Sequence, residues 1–310
     1  MKIVFLDAAT LGEDANFSEL EKLGTFVSYS LTEESDVISR IKDAHVVIVN
    51  KVKLGKREID SAQNLKLICV AATGTNNIDS EYATKKGIPV KNVVNYSTDS
   101  VAQITFGSLL TLINSSIYFD SIVKDGSYSN SGHFTDTGRS FFELKGKNFG
   151  IIGMGNIGKR VAAIASAFGC NVFYYSTGGV AHYKEYPSVC LSELLAKSDI
   201  ISIHSPLNEK TKNLISLKEL KAMKTSAILV NMGRGGIVNE KELAQALNYD
   251  LIAGAVIDVY EDEPIPEGHP YLSLKNPEKI VLTPHIGWAS IEARKLLIEK
   301  LVANIKSTSI

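Results

Sequence analysis

Three short segments carry side chains with distinctive chemistry. Asn231-Met232-Gly233-Arg234-Gly235-Gly236 offers a guanidinium, Asp258-Val259-Tyr260-Glu261-Asp262-Glu263-Pro264 offers carboxylates, and Leu282-Thr283-Pro284-His285-Ile286-Gly287-Trp288 offers an imidazole. A guanidinium fork grips a carboxylate through two parallel hydrogen bonds, which the point charge of a lysine cannot do. An imidazole has an ordinary pKa of about 6.5, so it gives and takes a proton near neutrality. A carboxylate beside an imidazole orients it and favours its protonated form. Spacing alone does not choose among Glu261, Asp262 and Glu263, and a solvated acidic turn is the plainer reading of that run. His45, His133, His182, His204 and His269 lack the proline setting of His285 and read as structural or surface residues. His204, at the end of an apolar run, is the nearest rival.

A fourth segment, Gly153-Met154-Gly155-Asn156-Ile157-Gly158, has the G-x-G-x-x-G pattern. It follows the apolar run 149–152 and opens a stretch with Ile157, Val161, Ile164, Ala165 and Phe168 at helical spacing. In a strand-to-helix turn the first glycine makes the bend, the second admits a pyrophosphate and the third lets helix pack on strand. The helix N-terminus then presents unpaired N–H groups and a positive dipole end to the anion. Ser176 stands eighteen residues past Gly158, where an acidic residue would bond ribose hydroxyls. Ser176-Thr177-Gly178-Gly179 brings neither carboxylate nor cation. The choice between NAD and NADP is therefore open, with a slight lean to NAD.

Positioning such groups requires a scaffold, and its elements recur along the chain. Apolar runs rich in Val and Ile lie at 3–6, 46–49, 67–71, 149–152, 172–175, 200–203, 228–230, 255–257 and 280–282. They do not alternate with polar residues, as expected of parallel strands buried on both faces. Between them, Ser216 with Glu219 and Asn239 with Glu242 have the spacing of helix N-terminal caps, and Gly87 and Gly169 stand where helices should stop. Leu297, Ile298, Leu301, Val302 and Ile305 form one stripe of a last helix. Alternating strands and helices predict an α/β fold of right-handed βαβ units. The three polar segments then fall just beyond C-terminal strand ends, where open α/β sheets bind ligands. Residues 123–139 look least structured, and 144–148 reads as a turn into a second sheet.

The chain has 310 residues, enough for about two domains, with 45% hydrophobic and 22% charged residues. Thirty-three Lys+Arg against 34 Asp+Glu leave a net charge of −1, which gives no footprint for nucleic acid or an acidic membrane. No apolar window reaches membrane-spanning length, and Asp7 ends the first apolar run too early for a signal peptide. Cys69, Cys170 and Cys190 are too few for a disulfide framework, and the expected location is cytoplasmic. Cys and His show none of the close paired spacings of zinc ligands, so no metal is expected. A G-x-S-x-G nucleophile elbow is also lacking.

Taken together, the glycine loop and the Arg, Glu-Pro and Pro-His-Ile-Gly segments resemble the D-isomer-specific 2-hydroxyacid dehydrogenase family, in its order and spacing. The resemblance extends to Ala72-Thr73-Gly74-Thr75-Asn76-Asn77-Ile78-Asp79 and Asn95-Tyr96-Ser97-Thr98-Asp99-Ser100-Val101-Ala102, and so covers nearly the whole chain. Ile286-Gly287-Trp288-Ala289-Ser290 with Tyr174-Tyr175-Ser176-Thr177 looks most like its glycerate dehydrogenase (hydroxypyruvate reductase) branch. The resemblance implies two doubly wound parallel-sheet domains. A Rossmann dinucleotide domain at 100–283 is inserted into a flavodoxin-like substrate domain at 1–99 plus 284–310. It further implies hydride transfer between NAD(P)H and a small 2-keto acid, hydroxypyruvate or glyoxylate. His285 would be the general acid/base, Glu263 its partner and Arg234 the carboxylate clamp. Gly74 and Thr75 would receive the substrate carboxylate opposite Arg234. The loop Gly153, Gly155, Asn156, Ile157 and Gly158, with Ser176, Ser205, Pro206, Met232, Gly233, Asp258 and Gly287, would line the cofactor. A homodimer through residues 101–142 is also implied. The alternatives are a D-lactate or other D-2-hydroxy acid dehydrogenase and, from another class, an NAD(H)-sensing corepressor-like binding protein.

Overall fold

The computed structural model describes residues 1–308, which divide into two compact units. One comprises Met1–Ser97 and the segment from Trp288 onward; the other is Thr98–Gly287.

In the first unit five strands, β1 (Lys2–Phe5), β2 (Thr25–Ser28), β3 (Val46–Val49), β4 (Leu67–Val70) and β5 (Val90–Lys91), form a parallel sheet in the order β2-β1-β3-β4-β5. This is the flavodoxin-like order. Successive residues supply opposite faces. Ile3, Phe5, Val46 and Ile48 pack with the helix Ile291–Lys306, while Val4, Val47 and Val49 pack with the helices Val37–Ile41 and Lys56–Ser61. The unbroken apolar runs follow from that double burial. β2 and β5 escape such a reading, because β2 is a partly exposed edge strand and β5 has two residues.

The second unit holds β6 (Asn148–Ile152), β7 (Asn171–Tyr175), β8 (Ile200–Ile203), β9 (Ile228–Asn231), β10 (Gly254–Ile257) and β11 (Ile280–Leu282). They form a parallel sheet in the order β11-β10-β9-β8-β6-β7, and a single parallel bridge from Tyr174 to Ser188 lies beyond β7. Phe149, Ile151, Ile200 and Val230 face the helices Thr98–Ile113 and Asn156–Ala167. Ile152, Ile201, Ile203 and Leu229 face the helices Leu191–Lys197, Leu217–Ala222 and Glu240–Asn248. The capping signals act as expected. Ser216 and Glu219 form a capping box, and Asn239 Oδ1 accepts from Glu242 N at 3.1 Å. Gly87 and Gly169 end their helices at φ +71° and +82°. Within 123–139, where the sequence shows little order, Ser127–Asn130 is helical and the helix Ser116–Lys124 ends. Phe168, expected on the buried side, is 41% exposed and stacks on Phe106 with centroids 5.5 Å apart.

β6 is flanked by β7 on one side and β8 on the other, so the loops that follow β6 and β8 leave the sheet in opposite senses. That switch point opens a crevice at the C-terminal edge. No single helix among the described residues is long and apolar enough to cross a membrane.

Candidate active site

The glycine loop joins β6 to the helix Asn156–Ala167, and each glycine has a steric reason. Gly153 has φ +96°, and a Cβ there would lie 2.9 Å from Ser205 N. A Cβ on Gly158 would lie 2.2 Å from the carbonyl oxygen of Gly153. Gly155 faces open space, as a position that admits a pyrophosphate must. Beside the loop is a cavity of about 330 Å³ lined by Gly153–Gly155, Ser176, Thr177, Gly178, Val180, His182 and His204–Pro206. None of these residues is acidic. Ser176 Oγ donates to Val180 O at 2.7 Å, so its hydroxyl folds its own loop.

Ser205 Oγ and His204 Nδ1 are buried without a hydrogen-bond partner among the described residues. His204 Nε2 meets Ser202 Oγ at 2.8 Å. The ring is enclosed closely enough that burial pushes its pKa down to about 3 and keeps it neutral. Orphaned polar atoms in a crevice beside an open helix N-terminus fit a bound dinucleotide, which would satisfy them. Asn156, Ile157 and Gly158 open the helix that would receive the pyrophosphate. Met232 and Gly233 follow β9 beside this crevice, since a Cβ on Gly233 would lie 2.8 Å from Ser205 O.

Glu263 and His285, the expected acid–base pair, lie on the loops after β10 and β11. His285 Nδ1 is 2.8 and 2.9 Å from the two carboxylate oxygens of Glu263, and the side chains are 21% and 28% exposed. A carboxylate only accepts, so Nδ1 carries the proton and Nε2 is left for exchange. Of the three acidic candidates, Glu263 is the one at the imidazole. His285 has φ +56°, the left-handed region that costs an ordinary side chain ~1–2 kcal/mol. Asp258, 3% exposed, holds it there. Its Oδ1 accepts from Ile286 N at 2.9 Å and Thr283 Oγ1 at 2.6 Å, and its Oδ2 accepts from Gly287 N at 2.8 Å. Asp258, expected at the cofactor, thus also anchors the histidine loop. The same contacts keep residues 284–287 with the second unit, although the expected division placed them in the first. Gly287 is needed for this approach, because a Cβ would sit 2.8 Å from Asp258 Oδ2.

Arg234 follows β9 in a turn pinned by Asn231, whose Oδ1 accepts from Gly233 N at 3.1 Å and whose Nδ2 donates to Arg234 O at 3.1 Å. One guanidinium N–H donates to Gly233 O at 2.8 Å, and the remaining N–H face keeps a fork for a carboxylate. The neighbouring Gly235 lies flat on the peptide between Tyr260 and Glu261; a Cβ would be 1.9 Å from Tyr260 C. The arginine loop and the Glu263 loop thus abut. Gly74 and Thr75 lie in the first unit, in the loop after β4, with their N–H groups unbonded among the described residues. Pro206 is exposed at the end of the His204–Pro206 stretch. No cluster of His, Cys, Asp and Glu among the described residues could hold a metal ion.

Sequence reasoning missed three contributors. Thr177 and His182 line the crevice, and Tyr260 links the loops. Tyr260 lies within a segment singled out for its acids, but nothing in its type announces a structural hub.

Comparisons with known proteins show the family and the fold. The sequence profile for "D-isomer specific 2-hydroxyacid dehydrogenase, NAD binding domain" matches residues 106–287. A hydroxypyruvate reductase of Blautia hydrogenotrophica is 36% identical over 312 residues, covering 99% of this chain and 96% of that protein. A glycerate dehydrogenase of Methylorubrum extorquens is 35% identical, covering 99% and 95%. A crystal structure of an NADPH-dependent glyoxylate/hydroxypyruvate reductase from Sinorhizobium meliloti, in complex with NADP and malonate, superposes with a TM-score of 0.83 at 26% identity, covering 99% and 92%.

Two outcomes follow from these contacts. Asp258→Asn sets an amide donor against backbone donors and leaves an N–H unbonded, so stability should fall by ~1–3 kcal/mol. An unchanged melting midpoint would show that the carboxylate is dispensable. His204 stays neutral when folded and binds a proton on unfolding, so acidification from about pH 6.5 downward favours the unfolded chain. His204→Asn should therefore lose less of its melting midpoint between about pH 7 and about pH 5 than the parent. Parallel losses would remove His204 from the acid sensitivity.

Proposed function

This chain belongs to the D-isomer specific 2-hydroxyacid dehydrogenase family, and from that premise we propose that it reduces hydroxypyruvate or glyoxylate to D-glycerate or glycolate with His285 as general acid. It is an NAD(P)-dependent oxidoreductase. The observation that carries the reading is the two-oxygen grip of Glu263 on His285 Nδ1, at 2.8 and 2.9 Å, which points Nε2 outward as the proton donor. The relatives from Blautia and Methylorubrum, named for hydroxypyruvate and glycerate, support the substrate.

When bound, the nicotinamide would supply the hydride, and the protein supplies placement and charge. Asn156–Gly158 at the helix N-terminus would hold the pyrophosphate, and Ser176, Thr177 and Ser205 would line the rest of the dinucleotide crevice. Arg234 clamps the keto-acid carboxylate and draws negative charge toward the carbonyl oxygen. His285 Nε2 then gives its proton to that oxygen. Glu263 stabilises the imidazolium before the transfer and keeps the ring oriented after it. In the reverse direction His285 takes the hydroxyl proton.

We also propose a homodimer through residues 101–142. Ile117, Val123, Phe134 and Phe141 in this stretch are 68%, 57%, 96% and 63% exposed, an apolar surface that favours burial against a second copy. Analytical ultracentrifugation should give twice the chain mass, and a monomer would refute the assignment.

Turnover with NADH and NADPH across hydroxypyruvate, glyoxylate, pyruvate and 2-ketoisocaproate tests the substrate. Preference for the branched acid would move the chain to another branch, and cofactor binding without any turnover would favour a sensor. His285→Ala should lower turnover ~10²–10⁴-fold with cofactor affinity retained; full activity would end the acid–base assignment. Reduction needs the protonated imidazole, which a carboxylate favours. Glu263→Gln should therefore change the pH profile of reduction, and an unmoved profile would take Glu263 out of the mechanism.

A further inference from the structure

The pairing of Glu263 with His285 does not stand alone. Tyr260 N donates to Glu263 Oε1 at 3.1 Å. The Tyr260 hydroxyl donates to Thr283 O at 2.9 Å, and the same carbonyl oxygen accepts from His285 N at 3.0 Å. Burial, with the charges of Asp258, Glu263 and Glu240 nearby, pushes the Tyr260 hydroxyl up to about 12, so it remains a donor. The peptide after Tyr260 lies against Gly235, next to Arg234. One residue thus touches the supports of all three proposed functional side chains. Its placement depends on the peptide that follows it.

That peptide is held from an unexpected direction. Glu240, the first residue of the helix Glu240–Asn248, accepts from Glu261 N through Oε1 at 2.8 Å. Its Oε2 meets His269 Nε2 at 2.7 Å. The two side chains are 11% and 6% exposed. His269 Nδ1 accepts from Tyr271 N at 3.3 Å, which leaves the ring proton on Nε2, aimed at Glu240. The ring is packed edgewise between Tyr260 and Tyr271, with centroids 6.3 and 4.7 Å away. A buried carboxylate is costly without full hydrogen bonding, and here each oxygen has a donor. A largely buried acid and histidine that do not line the crevice call for a reason.

We propose that Glu240 and His269 are positioning residues: through Glu261 N they fix the 260–263 turn and so hold Glu263 on His285 and Gly235 beside Arg234. His269 orients the Glu240 carboxylate, Glu240 fixes the Tyr260–Glu261 peptide, and the peptide fixes the Glu263 side chain. This rests on the acid–base reading of Glu263 and His285 for its effect on turnover, but not for its effect on geometry.

The test is Glu240→Ala, with Glu240→Gln as the conservative variant. Glu240→Ala should lower kcat for hydroxypyruvate about 10–100-fold while the dissociation constant for NADH, from quenching of its fluorescence, changes less than about twofold. The pH profile of reduction should change, as with Glu263→Gln. Glu240→Gln keeps an oxygen for Glu261 N and should recover part of the loss. Combined with Glu263→Gln, Glu240→Ala should add little, because the two act through one contact. A readout independent of turnover is the low-field proton resonance of His285 Nδ1, identified by its loss in His285→Ala. Glu240→Ala should shift or broaden it. An unshifted resonance, or losses that multiply in the double variant, would overturn the proposal. A shifted resonance with normal turnover would keep the positioning role and instead remove the acid–base reading. Should Glu240→Ala fail to fold, Glu240→Gln and His269→Gln carry the same measurements, and no change in either resonance or profile would again overturn it.

Discussion

The site depends on one buried carboxylate. Asp258 gathers two backbone N–H groups and a threonine hydroxyl from the loop after β11, and in doing so holds His285 in a backbone conformation that ordinary side chains avoid. Strain at a single residue persists only where its surroundings over-determine it. Here the surroundings are a charged acceptor with no solvent to share it. Charge-assisted hydrogen bonds of this kind are about twice as strong as neutral ones, so three of them outweigh the local strain. The ring then projects toward Glu263 instead of continuing along the strand direction.

Glycine is the second constraint. Gly235 and Gly287 permit contacts that any Cβ would forbid, one with the Tyr260–Glu261 peptide and one with Asp258. Gly158 does the same for the phosphate-binding turn. These glycines bring loops from separate strands within van der Waals distance at the C-terminal edge of one sheet. Side chains of modest length can then meet without long, flexible reaches that would dilute their placement.

Much of this was legible in the residues. Nine of the strands follow from apolar runs, most of them because double burial imposes a uniform composition; β2, with no fully buried residue, and the two-residue β5 carry no such pressure. The G-x-G-x-x-G loop was readable because its steric demands admit only glycine at fixed spacing. The loop-anchoring contacts of Asp258 were not readable. An aspartate beyond a strand end looks the same in sequence whether it faces a ligand or a neighbouring backbone, and only the fold brings residues 283–287 onto it. Tyr260, Glu240 and His269 failed to signal for the same reason, since hydrogen bonds across twenty or more residues leave no periodicity.

His204 and His285 show how surroundings divide one side-chain chemistry. Both follow apolar strands at the same edge of the same sheet. His204 is enclosed, has no carboxylate partner among the described residues, and is kept neutral by burial. His285 keeps partial solvent access and faces two carboxylate oxygens, so its protonated form has a counter-charge at hand. The distinction is not in the histidine but in what the adjoining loop can bring to it. After β11 that loop is fixed by Asp258 and met by Glu263; after β8 the nearest polar group to the ring is a serine hydroxyl. The proton-transfer role proposed for this strand end rests on a second loop that delivers a charge to it, and that loop is held in turn by Tyr260 and the contacts behind it.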